Sequence, residues 1–177
     1  MRKIVFLDRD GVLTVPSEVN GKGFAPRTTQ DLTFYPDAGD SVTKLKRAGF
    51  EVVVVTNQPD VGDGFISSET LKEMNAIVES ETGVDCVRVC PHSKSDGCLC
   101  RKPKNGLIEA ELLTRPVDRN QSWMVGDRDS DILAGLASGL ATVFIERGWS
   151  DESGSVSSWS AKSLGEATEI ILRQASS

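Results

Sequence analysis

The chain of 177 residues carries 26 Asp and Glu against 20 Lys and Arg, a formal net charge of −6 at pH 7. That balance excludes the basic footprint of a general nucleic-acid binder, so an anionic substrate has to be held by a local cationic cluster or by a metal. Hydrophobic residues are 38% of the chain, enough for the core of one domain over 1–177, and no apolar run approaches the ~20 residues of a membrane span.

In chain order, "MRKIVFLDRDG" opens like a leader, but the stretch KIVFL ends at Asp8 after five residues, four of them apolar; we read the chain as cytoplasmic, where cysteines meet metals more often than each other. "KIVFL" (3–7) reads as a first strand, followed by a polar Gly- and Pro-containing excursion over 14–36. "DAGDSVTKLKRAG" (37–49) sets Val42, Leu45 and Ala48 at helical spacing and stops on Gly49. "EVVVVT" (51–56) is the second strand and "SSETLKEMNAIVESETG" (67–83) a helix with serine and glutamate at its start. "DCVRVC" (85–90), "SWMVG" (122–126) and "TVFIE" (142–146) complete five strands. "NGLIEAELLTR", "DSDILAGLASG" and "SLGEATEIILRQA" are the remaining helices, and 147–160, rich in Ser and Gly, reads as a surface loop. Near-continuous apolar strands alternating with helices predict a doubly wound, mainly parallel, Rossmann-like α/β sheet with helices on both faces.

Ligands of such sheets bind beyond the carboxyl ends of the strands. There the sequence sets Asp8-Arg9-Asp10-Gly11, Thr56-Asn57-Gln58 and Gly126-Asp127-Arg128-Asp129, with Asp131 close behind. Single aspartates at such places are usually turn formers or caps. Three converging carboxylates, Asp8, Asp10 and Asp127, repel unless a cation lies between them, and Mg²⁺ prefers oxygen ligands. A hydroxyl from Thr56 and the ammonium of Lys102 would hold an anion beside that metal, a combination that reads as phosphoryl chemistry. A calcium loop fails, because Val12 stands where D-x-D-G needs a further oxygen.

Cys90, His92, Cys98 and Cys100 form C-x-H-x5-C-x-C. A Cys₃His set suits Zn²⁺ and leaves no open position, so the metal would be structural: it closes a polar loop and aims Arg101 and Lys102 at the phosphate site. The competing readings are free thiols, a Cys90–Cys98 disulfide, or His92 as a general base; Cys98 and Cys100 are too close for an unstrained bridge. Cys86 lies outside the pattern and reads as a small buried core residue.

"FLDRDGVL", "VVVTNQ", "CRKPKNGL" and "MVGDRDSDI" resemble, in order, the four motifs of the haloacid dehalogenase superfamily. Within it the chain looks like the compact zinc-containing branch of heptose-bisphosphate and histidinol-phosphate phosphatases, over residues 3–146. The resemblance implies Asp8 as nucleophile, Asp10 as general acid/base, and Thr56 and Lys102 as phosphoryl binders. It also implies a Mg²⁺ held by Asp8, Asp127 and the Asp10 carbonyl, with Asp131 ordering the lysine or a metal-bound water. The segments 11–36 and 59–84 are too short for a large cap domain, so the site is expected to be open, and the chain a monomer.

Asn57 and Arg101 are the candidate substrate contacts, whereas Lys22 and Arg27 read as solvated loop charges. The reaction implied is removal of the 7-phosphate of D-glycero-D-manno-heptose 1,7-bisphosphate. Histidinol phosphate is the alternative, favoured by the short zinc-loop spacer. Asp60 and Asp63 would disfavour a second substrate phosphate by repulsion. A non-catalytic phosphate-binding module would show a broken nucleophile or metal carboxylate, and a metal-dependent glycosyltransferase would need a nucleotide-binding half before its D-x-D; neither pattern is present.

Overall fold

Period-two alternation of side-chain direction along the first strand decides how the layers form. In the computed structural model, which describes residues 1–19, 22–149 and 156–175, β1 (Lys3–Leu7) turns Ile4 and Phe6 to one face and Val5 and Leu7 to the other, all fully buried. β4 (Phe50–Asn57) repeats this, with Val53 and Val55 opposed to Val52 and Val54. One face packs on α1 (Ala38–Arg47), α3 (Ser68–Thr82) and α6 (Leu164–Ala175) through Val42, Leu45, Val78, Leu164, Ala167 and Ile171. The other packs on α4 (Gly106–Leu112) and α5 (Asp129–Ala137) through Ile108, Leu112 and Ala134. A sheet covered on both faces needs apolar side chains at every position, which is why its inner strands show no polar alternation.

Six parallel strands run in the order β5 (Cys86–Cys90), β4, β1, β6 (Trp123–Gly126), β7 (Ala141–Ile145) and β8 (Trp159–Ala161). Successive crossovers run outward from β1 in one direction and then, from β6, in the other. The crevice between the carboxyl ends of β1 and β6 is therefore the switch point where such sheets bind ligands.

The five expected strands and five expected helices are present within a few residues. The 14–36 excursion contains an antiparallel hairpin, β2 (Ser17–Val19) and β3 (Lys22–Phe24), and a 3-10 turn, while a short helix, α2 (Pro59–Gly62), follows β4; neither insertion builds a cap domain among the described residues. Three readings change. The segment 147–160, read as surface loop, ends in the sixth strand: Trp159 pairs with Val143 and packs on Trp123 with ring centroids 5.0 Å apart, an aromatic contact that Ser-rich composition conceals. Residues 150–155 of that segment lie outside the described residues. Cys86 is half-buried rather than core, because β5 is the edge strand. Ala48, placed on the buried face of α1, is its exposed C-cap. No helix among the described residues is long and apolar enough to cross a membrane.

Candidate active site

Asp8 follows the last residue of β1 and its N–H donates to the Val125 carbonyl of β6 at 3.0 Å, which sets its side chain at the switch point. Asp127, one residue past β6, and Asp131, in the first turn of α5, join it. One carboxylate oxygen from each of the three lies within 4.8 Å of the others, and all three side chains are buried. Two glycines make the approach feasible. Gly11 has φ +94°, and a Cβ there would overlap the Asp127 carboxylate; a Cβ on Gly126 would overlap Asp131.

Burial with mutual repulsion makes this cluster uneasy without a cation. Desolvation, opposed in part by Lys102, pushes the Asp8 carboxyl up to about 6. Desolvation together with Asp8 and Asp131 pushes Asp127 up to about 7. Asp127 Oδ2 accepts from the indole of Trp149 at 2.8 Å, while Oδ1 is buried without a partner. A buried, unpartnered carboxylate oxygen on a residue clustered with two more carboxylates fits an oxygen-preferring divalent cation.

Lys102, 3% exposed, brings the compensating charge. Its ammonium lies 2.8 Å from Asp8 Oδ1, 2.6 Å from Asp131 Oδ1 and 2.5 Å from the Val55 carbonyl, which accounts for all three N–H donors. Burial alone would lower its pKa, but Asp131 and Asp8 outweigh that and hold it protonated above the ordinary lysine value. Asp131 uses its second oxygen to accept the Arg128 N–H at 3.1 Å and so anchors the lysine to the start of α5. The Asn57 amide clamps the Lys102 backbone, donating to its carbonyl at 3.1 Å and accepting its N–H at 3.0 Å. Asn57, named as a substrate contact, is thus occupied in holding the lysine segment.

Asp10 points into a different set of partners. Arg9, fully buried, donates to both its oxygens at 3.1 and 3.0 Å, Thr14 Oγ1 donates at 2.8 Å and Gln58 Nε2 at 2.6 Å. Burial would raise the Asp10 carboxyl, but these four bonds more than offset it and hold the group below its ordinary value, as a carboxylate. Arg9 is itself fixed by Asn75 of α3 at 2.9 Å, and Gln58 also donates to Thr56 Oγ1 at 3.0 Å. Arg9, Thr14, Gln58 and Trp149 were missed from sequence. Arg9 and Gln58 sit inside quoted motifs, so adjacency was a signal; nothing marks Trp149.

The second cluster is the expected one. Cys90 Sγ lies 3.5 Å from Cys98 Sγ and 3.6 Å from His92 Nδ1; Cys100 Sγ lies 3.2 Å from that nitrogen and 3.5 Å from Cys98 Sγ. Tetrahedral zinc with Zn–S of about 2.3 Å sets its thiolates about 3.8 Å apart, and the two sulfur–sulfur separations of 3.5 Å stand within a few tenths of an ångström of that value. The Cys90 and Cys98 sulfurs are too far apart for a disulfide, whose bond is about 2.05 Å, and all four cysteines are free. Gly62 of α2 meets the loop so closely that a Cβ would overlap the Ser93 and His92 backbone, and Lys104 donates to the Gly97 and Cys98 carbonyls at 2.8 Å each.

Of the remaining candidates, Arg101 keeps a buried Nη1 without a partner. Arg27 is not simply a solvated charge: its guanidinium pairs with Asp60 at 2.7 Å and lies 4.3 Å over the Phe65 ring. The Lys22 side chain lies outside the described residues.

With this geometry in place the resemblances become specific. The profile of the HAD-hydrolase-like family matches residues 99–164. The chain is 33% identical over 151 residues to the D-glycero-beta-D-manno-heptose-1,7-bisphosphate 7-phosphatase of Pseudomonas putida, covering 82% of this chain and 83% of that one. It is 36% identical over 145 residues to the histidine biosynthesis bifunctional protein HisB of Campylobacter jejuni subsp. doylei, covering 78% of this chain but only 40% of that longer protein. Its fold superposes on the D,D-heptose 1,7-bisphosphate phosphatase of B. bronchiseptica, complexed with magnesium and phosphate, with a TM-score of 0.83 at 24% identity, covering 97% of this chain and 99% of that one.

Proposed function

Since the chain belongs to the haloacid dehalogenase-like phosphatases, we propose that it hydrolyses a small phosphate monoester through an aspartyl-phosphate on Asp8, with D-glycero-D-manno-heptose 1,7-bisphosphate losing its 7-phosphate. The observation that carries this reading is the buried Asp8–Lys102–Asp131 chain beside the unpartnered Oδ1 of Asp127. Asp8, Asp127 and the Asp10 carbonyl are the residues to hold Mg²⁺. When bound, the ion neutralises charge on the transferring phosphoryl group, so that an anionic nucleophile can approach an anionic ester.

The protein residues divide the remaining work. Asp8 forms the bond to phosphorus while the ester oxygen leaves, taking a proton from Asp10. Attack removes the negative charge from Asp8, which frees the Lys102 donor it had engaged to bind a phosphoryl oxygen, with Thr56 on another. In the free chain Asp10 is held ionised. The approaching phosphate dianion repels that charge and raises its pKa, so the proton needed for the first half is acquired with substrate. In the second half water attacks phosphorus, its proton passes to Asp10, and the bond to Asp8 breaks to release phosphate. The thiol cluster holds zinc and fixes the loop that delivers Arg101 and Lys102. Every group named comes from one chain, so a monomer suffices, and reduced thiols suit a cytoplasmic setting.

The Arg27–Asp60 pair bears on substrate choice. Half of the acid expected to repel a second phosphate is already neutralised, which favours the bisphosphate over histidinol phosphate. The test is phosphate release with Mg²⁺ from each compound. We expect faster turnover of the bisphosphate and a loss of at least about 10³-fold in Asp8→Asn, the scale on which removal of a nucleophile acts. Preferential release from histidinol phosphate would reassign the substrate, and an Asp8→Asn variant of normal activity would remove the mechanism.

A further inference from the structure

Trp149 stands four residues past β7, outside every motif quoted above, yet it touches the carboxylate cluster. Its Nε1–H donates to Asp127 Oδ2 at 2.8 Å, and the opposite oxygen, Oδ1, is the buried one without a partner. An indole N–H is a donor only and carries no charge. It can therefore stop a carboxylate from rotating without neutralising it, which a lysine or arginine in the same place would do.

The indole is held in turn. It lies against the backbone of Gly23 in β3, where a Cβ would come within 3.1–3.2 Å of three ring atoms. The Gly23 carbonyl accepts from Arg128 Nη2 at 3.0 Å, and Arg128 is the residue directly after Asp127. Hairpin, indole and carboxylate thus form one continuous contact: β3 backbone, Trp149 ring, Asp127 Oδ2.

We infer that Trp149 is a positioning residue for the divalent cation: it turns Asp127 so that Oδ1 faces Asp8, and through Gly23 it couples the seating of the β2–β3 hairpin to cation binding. The inference rests on the reading of Asp8 and Asp127 as metal ligands. Hydrogen-bond partners of ligating groups set affinity because they fix the orientation in which a ligand waits, and losing one costs about 10–100-fold in metal affinity.

The experiment is titration of the substrate-free, zinc-loaded protein with Mg²⁺, followed by calorimetry and by tryptophan emission. Trp149→Phe keeps the ring and deletes the donor, while Gly23→Ala keeps the donor and displaces the ring. In the unaltered protein Mg²⁺ should bind and change the emission. In Trp149→Phe the dissociation constant should rise about tenfold or more. The emission change should vanish, because Trp123 and Trp159 pack on each other at the opposite end of β6. The metal-free melting temperature should stay within a few degrees. Gly23→Ala should weaken Mg²⁺ in the same direction, and it carries the test if Trp149→Phe does not fold. Equal Mg²⁺ affinity in the unaltered protein and Trp149→Phe overturns the inference with the metal reading intact. Absence of Mg²⁺ binding to the unaltered protein overturns both. A weakened Trp149→Phe beside an unaffected Gly23→Ala removes the coupling to the hairpin.

Discussion

Asp8 and Asp127 are two carboxyl groups whose pKa values burial pushes up to about 6 and about 7, against an ordinary value near 3.8. A raised carboxyl pKa means that the folded chain takes up a proton before the unfolded chain does, so the Mg²⁺-free protein binds more protons than its unfolded form between roughly pH 4 and 7. Stability in that window falls as pH rises. The melting temperature of the zinc-loaded, Mg²⁺-free protein should therefore climb as pH is lowered from 8 to 5.5, and saturating Mg²⁺ should flatten the trend by stabilising the ionised forms. A Mg²⁺-free profile that falls over the same range would show that the cluster is not strained by its own charge. Asp10 does not contribute there, because Arg9 and its other donors hold it below its ordinary value.

At the scale of the element, the loop from Cys90 to Lys104 carries both the Cys₃His cluster and the buried ammonium of Lys102, through separate residues. Four side chains close it, Gly62 and Lys104 brace it from either side, and Asn57 then fixes the Lys102 backbone. Zinc removal by a chelator, or Cys98→Ser, should lower activity about tenfold or more while far-ultraviolet dichroism keeps the signal of the sheet, and proteolysis should concentrate between residues 91 and 104. Cleavage spread over the whole chain would mean instead that zinc supports the fold itself. The β2–β3 hairpin is the other insertion beside the site. It meets the site through Trp149 and Arg128, which a composition-based reading of residues 14–36 does not bring together.

At the scale of the molecule, the site exists because a six-stranded parallel sheet reverses its strand order between β1 and β6. Phe6 lies fully buried between that sheet and its helices. Phe6→Ala should cost about 3–5 kcal/mol in denaturant unfolding, of the order left by other large-to-small core truncations. A loss below about 1 kcal/mol would mean the core closes over the gap. The apolar runs and glycine stops were enough to place the strands and helices, because local periodicity and capping act over a few residues of chain. The spacing of Cys90, His92, Cys98 and Cys100 likewise foretold their cluster, since four scarce ligands within eleven residues have few other uses. Tertiary structure alone decided the rest. β8 depends on a Trp123–Trp159 contact across 36 residues. Asn57 clamps the Lys102 backbone, and Arg27 pairs with Asp60. Trp149 reached Asp127 from beyond any motif. Each of these joins residues far apart in sequence, and which of them meet is fixed by how the strands stack and the loops fold back, which no local pattern records.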